Sequence, residues 1–445
     1  MNNKGECTPQ SIAVADEVAI EALLREFTED QLRRWLSELD LAQTIRLHPR
    51  RYYPIYLNLL SVFRNRLPLQ QIKKISLECC KASIWSHRAI HYYFEQIPRW
   101  PSSDIHRMMK IGFDRHQIET VNSLLGLGKG LIIACSRMGL YSFIPADLAL
   151  HGYKISVPIL ERKYRTFSKE LDNLRSLDWP DEGASSRGKG STRARNISLY
   201  EVLNIEAPGA LFNMAQALRR GELVLMYIDG NGGLDGPWGD KSRRIVDFLG
   251  FKLTVKDGTA RLACLTRTPI LPLIAVSENG LGKAILGQPI IPGPKADASQ
   301  EEQFIGHTTQ QLYSFIERCA LAYPEQWESS ASLHRWRRQG VEAPEPAESN
   351  LEEVTLEIKK LLEQGRTLRI NEQDGVIALP EKETEIWLDV KTLRSVKSPD
   401  WARDVFRALS SRSGLDLSWV KKNGAASEPW PLLARLKLRQ LIAIS

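Results

Sequence analysis

Two short stretches carry side chains that can do chemistry. The first is Cys135-Ser136-Arg137, with Ser142 just beyond, at the end of an apolar run from Leu131 to Cys135. A thiol and a hydroxyl are nucleophile types, and a guanidinium is a cation that never deprotonates in a protein. The second is Asp229 to Gly236, which sets two carboxylates, Asp229 and Asp235, among four glycines behind the apolar run Leu223 to Ile228. The loop lacks the GxxxxGK[ST] pattern that cradles a nucleotide phosphate. It also lacks the bidentate Glu that closes a calcium loop. It reads as the lining of a pocket at a strand's C-terminal end, where open α/β sheets keep their chemistry.

The elements around these stretches alternate. Gly128-Lys129-Gly130 is a turn signal, followed by a strand that breaks at Ser136 to Gly139. Apolar residues at Ile144, Leu148 and Leu150 predict a helix stopped by Gly152, and Lys154 to Leu160 predicts the next strand. A charged helix, Tyr164 to Leu177, leads into a Gly, Ser, Arg and Lys stretch over 181–196 that reads as a mobile basic loop. Ile197 to Leu203 predicts a short strand, Ala207 to Arg220 an amphipathic helix, and Leu223 to Ile228 a buried parallel strand. Further on come a broken strand from Val246 to Val255 and a helix from Asp257, placed to cap it, to Arg267. Strands at Pro269 to Val276 and Leu281 to Ile290 precede a long helix, Ser299 to Tyr323. Ahead of all this, Val18 to Leu41 and Leu59 to Tyr93 have helical spacing, broken at Pro68, and Asp104 to Leu127 predicts one more helix.

Composition narrows the class. A chain of 445 residues with a 43% apolar fraction holds one large domain and one or two small ones. A net charge of +7 favours anionic partners weakly. Six unpaired cysteines suit a reducing cytoplasm, with Cys79-Cys80 as two small buried residues. Metal-ligand spacings are absent, and residues 1–15 lack the pattern of a secretory leader. No apolar run is long enough to span a bilayer. Tyr52 to Phe63, flanked by Arg50-Arg51 and Arg64, is amphipathic and reads as a core helix, with contact to a membrane surface as the alternative. The basic residues are dispersed and not interleaved with aromatics, so no nucleic-acid partner is expected.

Six segments in order carry a resemblance: GKGLIIACSRMG, HGYKISV, RRGELVLMYIDG, VDFLGF, DGTARLACLTRTPILPLIAV and YPEQW. Together with His334-Arg335-Trp336-Arg337 they resemble the bacterial lipid A biosynthesis (lauroyl/myristoyl) acyltransferase family, over about Ile72 to Arg338. The resemblance implies an α/β fold of the lysophospholipid acyltransferase type, a central mixed sheet flanked by helices. It also implies transfer of a fatty acyl group from an acyl carrier protein or coenzyme A, used as co-substrate with no resident cofactor, to a lipid hydroxyl.

That family uses a His followed five positions later by an acid, the carboxylate fixing the imidazole that takes the hydroxyl proton. In register these positions are Arg137 and Ser142, and none of the eight histidines has an acid five residues on. Three readings stay open. The chain binds an acyl carrier or lipid and catalyses nothing. Alternatively it transfers the acyl group by other means: Arg137 stabilises the thioester oxygen, and Asp229, Asp235 or Asp147 acts as base, or Cys135 or Ser136 takes the acyl group first. Or the fold runs a different reaction. Arg137, Ser136 and Asp229 are the catalytic candidates. Cys135, Ser142, Asp235 and Arg261 are the substrate-facing ones, Arg261 matching a position where the family carries Arg.

The expected division is an N-terminal helical segment (1–71), the acyltransferase-like domain (72–338), a Pro- and Glu-rich linker (339–350) and an accessory α+β domain (351–445). The last predicts a helix at Leu351 to Gln364, three strands, and helices at Asp400 to Ser411 and Leu433 to Ile444. Its presence points to a peptide or amino compound as acceptor. The expected location is the cytoplasm, with peripheral contact at the inner membrane as the alternative.

Overall fold

The computed structural model describes residues 27–96, 109–176, 199–229, 243–294, 297–336, 348–370, 376–381, 384–389, 395–399, 404–405, 408–409, 414–423, 429–438 and 442–444. The chain divides into two compact units, Met1–Arg337 and Arg338–Ser445. The first begins with helices α1 (Glu29–Glu38), α2 (Leu41–Leu47), α3 (Pro49–Phe63) and α4 (Leu69–Gln96). Thr28 and Asp40 start α1 and α2 with reciprocal capping boxes through Gln31 and Gln43. These helices pack into the same core as the sheet, so residues 27–71 belong to the first unit and do not stand apart. Ile55, Leu57 and Leu59 of α3 are buried, as a core helix requires.

The centre is a six-stranded sheet built on β1 (Leu131–Gly139). The other strands are β2 (Ile155–Ile159), β3 (Tyr200–Asn204) and β4 (Leu223–Tyr227), then β7 (Ile270–Glu278) and β8 (Leu281–Leu286), in the order β3-β2-β4-β1-β7-β8. All neighbours are parallel except β7 and β8. This is a mixed α/β sheet flanked by helices. The chain leaves β1 toward β2 on the β4 side and later crosses from β4 to β7 on the other, so the strand order reverses around β1.

Both faces of β1 are apolar because both are covered. Leu131, Ile133 and Cys135 join one core with Tyr93, Phe143 and Leu148; Ile132 and Ala134 join the opposite core with Leu59, Leu262 and Tyr313. A strand buried on both sides reads as a continuous apolar run, and this one does. The break expected at Ser136 is not there. Pairing with β7 slips between Cys135 and Gly139, and the strand bulges and continues. Glycine is required at each end. Gly130 (φ 67°) and Gly139 (φ 56°) are left-handed, and a Cβ on Gly139 would lie 2.4 Å from the Ala275 carbonyl oxygen.

Other boundaries shift. Of the helix expected over Asp104 to Leu127, residues 104–108 lie outside the described residues and the rest forms a helix at Arg115–Leu125, capped by Asp114. The Val246 to Val255 piece is a hairpin, β5 (Arg243–Phe248) and β6 (Phe251–Lys256), turning at Leu249-Gly250 with both φ positive. Asp257 precedes the helix Gly258–Thr266, but its side chain makes no cap bond. It is claimed instead by Arg244 and Arg261, because a guanidinium is the stronger partner for a buried carboxylate. A long helix, Ala298–Ala322, closes the first unit's sheet layer.

The second unit has its own core around Ile358, Leu362, Leu409 and Leu433. The helix Glu348–Glu363 begins inside the expected linker. A three-stranded antiparallel sheet (Val376–Glu381, Thr384–Asp389, Ser395–Pro399) follows. The expected final helix stops at Leu438, and Ile442–Ile444 instead pairs antiparallel with Leu368–Ile370. The basic 181–196 stretch lies outside the described residues. Among the described residues no helix is long and apolar enough to cross a membrane.

Candidate functional site

The C-terminal end of β1 separates two polar clusters. The first follows from register. Cys135 pairs with Tyr227 in the parallel β1–β4 ladder, and two more residues bring Asp229 level with Arg137. The Asp229 carboxylate accepts the Arg137 backbone N–H at 3.0 and 3.1 Å and the Ser136 hydroxyl. Ser136 and Asp229 are both buried. Tyr313 seals this side by donating to the Ile228 carbonyl at 2.9 Å. Every group here has a partner, and none faces solvent.

The second cluster is built by helix α4 and by the turn after the long helix. Trp327 bridges Met138 of β1 and is 1% exposed. Gln326 exchanges two 2.8 Å hydrogen bonds with the Ser277 backbone. The Cys79 thiol of α4 donates to the Trp327 carbonyl at 3.3 Å. These contacts fix the next residue, Glu328, beside the end of β1. Helix α4 itself runs from one core to the other: Ile72, Cys79 and Ile84 belong to the first, Ala89, Ile90 and Tyr93 to the second. Ser83, Ser86 and His87 fall at that crossing, where the helix passes the seam between cores.

There a cleft of about 290 Å³ opens, lined by Arg51, Ser83, His87, Arg137 and Glu328, with Ala331 and Ser332 at its margin. Glu328 accepts the Tyr141 hydroxyl at 3.2 and 3.3 Å and stands 3.7 Å from His87 Nδ1. His87 Nδ1 is 3.1 Å from the Ser83 carbonyl, and Arg51 donates to the Ser83 hydroxyl at 2.8 Å. The Arg137 Nε is buried with no hydrogen-bond partner. Burial works against charge on Arg137, but Asp229 and Glu328 outweigh it and hold its pKa above the ordinary value. Glu328 raises the proton affinity of His87; the partial enclosure of the ring in the cleft and the charges of Arg51 and Lys163 together exceed that effect and hold the imidazole below the ordinary histidine value. The cleft thus combines two guanidiniums, one carboxylate and an imidazole that is neutral near pH 7. It can attract an anion, stabilise a developing oxyanion and accept a proton.

The sequence candidates distribute unevenly over this geometry. Arg137 belongs to both clusters, its backbone in the closed one and its side chain in the cleft. Ser136 and Asp229 are in the closed cluster. Cys135 is buried, its thiol bonded to the Ser136 carbonyl, and burial pushes its pKa well up, which disfavours the thiolate. Ser142 sits 3.4 Å from Ser86 of α4, next to Tyr141. Asp147 is buried in the far core, held by the Tyr93 hydroxyl and the Ile111 N–H, and burial pushes it up to about 7. Arg261 pairs with Asp257 and Glu302 and is not among the cleft residues. Asp235 lies outside the described residues. Arg51, His87, Tyr141 and Glu328 were not singled out by spacing. Glu328 carried one signal, its place directly after Pro-Glu-Gln-Trp; His87 carried none beyond a helical position beside Ser83 and Ser86.

No protein-family model matches the chain, and no curated protein sequence matches it.

Proposed function

We propose that the chain is an acyltransferase-like protein of lysophospholipid acyltransferase architecture. It takes an acyl thioester of coenzyme A or an acyl carrier protein and passes the acyl group to a hydroxyl or amine acceptor in the cleft at the end of β1. The observation that carries this reading is the Arg137 guanidinium, which lines the cleft where the central parallel strand ends and whose buried Nε has no hydrogen-bond partner. Attack on a thioester carbonyl creates an oxyanion, and a fixed cation beside it stabilises the transition state more than the ground state. The bond from acceptor to acyl carbon forms, the carbon–sulfur bond breaks, and the thiol leaves with the acceptor's proton. Arg51 supplies a second positive charge for the donor's phosphates.

One observation favours a second reading, a non-catalytic scaffold for an acyl carrier or lipid. Asp229 and Ser136 are spent on each other inside the protein and offer the cleft neither base nor nucleophile.

The test is incubation of the full chain with acyl-coenzyme A and acyl-carrier thioesters of several lengths, each with hydroxyl and amine acceptors. Thiol release and product mass are followed. Acceptor-dependent thiol release is the expected result. Saturable donor binding without release from any pairing selects the scaffold. Neither binding nor release overturns both.

A further inference from the structure

We propose that His87 is the general base of this cleft, so that the proton-accepting group sits on helix α4 and not on β1, with Glu328 and the Ser83 carbonyl orienting its ring. The inference rests on the acyl-transfer reading and supplies the group that reading lacks.

The tautomer follows from the neighbours. A carbonyl oxygen cannot donate, so His87 Nδ1, 3.1 Å from the Ser83 oxygen, carries the hydrogen. Glu328 Oε2, 3.7 Å from the same nitrogen, acts on it electrostatically. Nε2 is then the nitrogen with the lone pair, on a side chain that is 43% exposed at the cleft. This is the division of labour a histidine base requires: one nitrogen held, the other free for the reacting proton. Glu328 is itself held by the Tyr141 hydroxyl, and Trp327 anchors its backbone.

Among the described residues the other candidates fail on geometry. Asp147 is in the far core, Asp229 is enclosed, and Arg137 never gives up its proton. His91, one turn along α4, is paired to Glu170 at 2.8 Å. The charged groups around His87 come from four elements: Arg51 of α3, Arg137 of β1, Lys163 of the helix Glu161–Ser176, and Glu328. Arg51 and Lys163 favour the neutral ring; the Glu328 carboxylate opposes them and secures its orientation.

The steps balance. Nε2 takes the acceptor's proton as oxygen or nitrogen bonds to the acyl carbon, with the oxyanion against Arg137. As the carbon–sulfur bond breaks, the imidazolium returns that proton to the departing thiolate, and the ring is neutral again.

The experiment compares the wild type, His87→Gln, His87→Ala and Glu328→Gln with the best donor and acceptor from the panel. Wild-type turnover rises with pH through one midpoint below the ordinary histidine value. His87→Gln lowers kcat by about 10²–10⁴-fold, while KM for the thioester changes less than about threefold and the thermal midpoint stays near that of the wild type. Added imidazole restores part of the turnover of His87→Ala. Glu328→Gln moves the pH midpoint down, because the carboxylate that raises the ring's proton affinity is gone. That shift tests the inference even if both His87 variants fail to fold. Wild-type-like kcat in a folded His87→Gln, or an unmoved midpoint in Glu328→Gln, overturns the assignment and leaves acyl transfer standing. Absence of thiol release from the wild type with every donor overturns the acyl-transfer reading, and the assignment with it.

Discussion

The two sides of the peptide bond between Ser136 and Arg137 belong to different sites. Ser136 points its hydroxyl at Asp229 in a sealed pocket where each polar group has a partner. Arg137 sends its side chain into a cleft where Nε has none and the neighbouring imidazole keeps one nitrogen free. Both sites contain a carboxylate fixed by a hydroxyl, Asp229 by Ser136 and Glu328 by Tyr141. The closed one has used its hydrogen-bonding capacity on the fold. The open one has capacity left for a substrate. A buried polar group that is fully satisfied rigidifies; one left short of partners in the wall of a cleft keeps capacity to bind.

The largest effect separating the two sides is on stability. Asp229→Ala strands the Ser136 hydroxyl and the Arg137 N–H, and we expect a loss of about 3–5 kcal/mol in urea unfolding, summing the usual penalty for orphaned buried groups with the lost packing. A loss below about 1 kcal/mol would break the comparison, since the pocket would then not be load-dependent on its carboxylate. Arg137→Ala is expected to act on the other side. Turnover drops about 10²–10³-fold, or about 2.7–4 kcal/mol of transition-state stabilisation, while the loss of stability stays smaller than that of Asp229→Ala. The reverse pattern would move Arg137 into the structural cluster.

The histidines sharpen the same contrast. His48 is 3% exposed, edge-on to Trp35, and burial with Arg51 nearby lowers its pKa to about 4. The unfolded chain therefore binds a proton between the ordinary value of 6.5 and about 4 that the folded chain refuses. The contribution of His48 to stability is complete above 6.5 and is lost as pH falls through that window, by up to about 3 kcal/mol. His48→Phe should flatten that part of the stability–pH curve and leave turnover unchanged; an unaltered acid slope would show that His48 is not its source. The smallest effect belongs to Ser136→Ala, about 1 kcal/mol of stability with turnover intact. Lost turnover, or a wild-type acyl adduct at Ser136 by mass spectrometry, would place chemistry in the closed cluster.

Much of the fold could be read without coordinates. Leu131 to Cys135 and Leu223 to Ile228 are apolar without alternation because both faces of the central strands are covered, and that marks a parallel sheet directly. Gly130, Gly152 and Pro68 punctuate the chain where their backbone constraints demand it. The extension of β1 through Ser136 to Gly139 was not legible, because a bulge keeps polar residues in a strand that periodicity ends. The strand Ile442–Ile444 was hidden for a related reason. Three apolar residues after an apolar helix look helical until pairing with Leu368–Ile370 decides otherwise. At the site, Arg137 and Asp229 stood out because an apolar run stops just before each of them, whereas His87 sits mid-helix with nothing local to distinguish it.

The sequence by itself determined the layered α/β arrangement, the apolar stretches of its central strands, and the absence of any histidine with an acid five residues on. Those follow from local pattern: apolar runs, glycine stops and a fixed residue spacing. Only the tertiary structure decided that Asp229 is enclosed, that the Arg137 side chain lines a cleft, and that His87 meets Glu328 across the end of the sheet. The reason is physical. Which polar groups stay free depends on which are consumed by neighbours, and those neighbours are brought together by strand register and helix crossing rather than by separation along the chain.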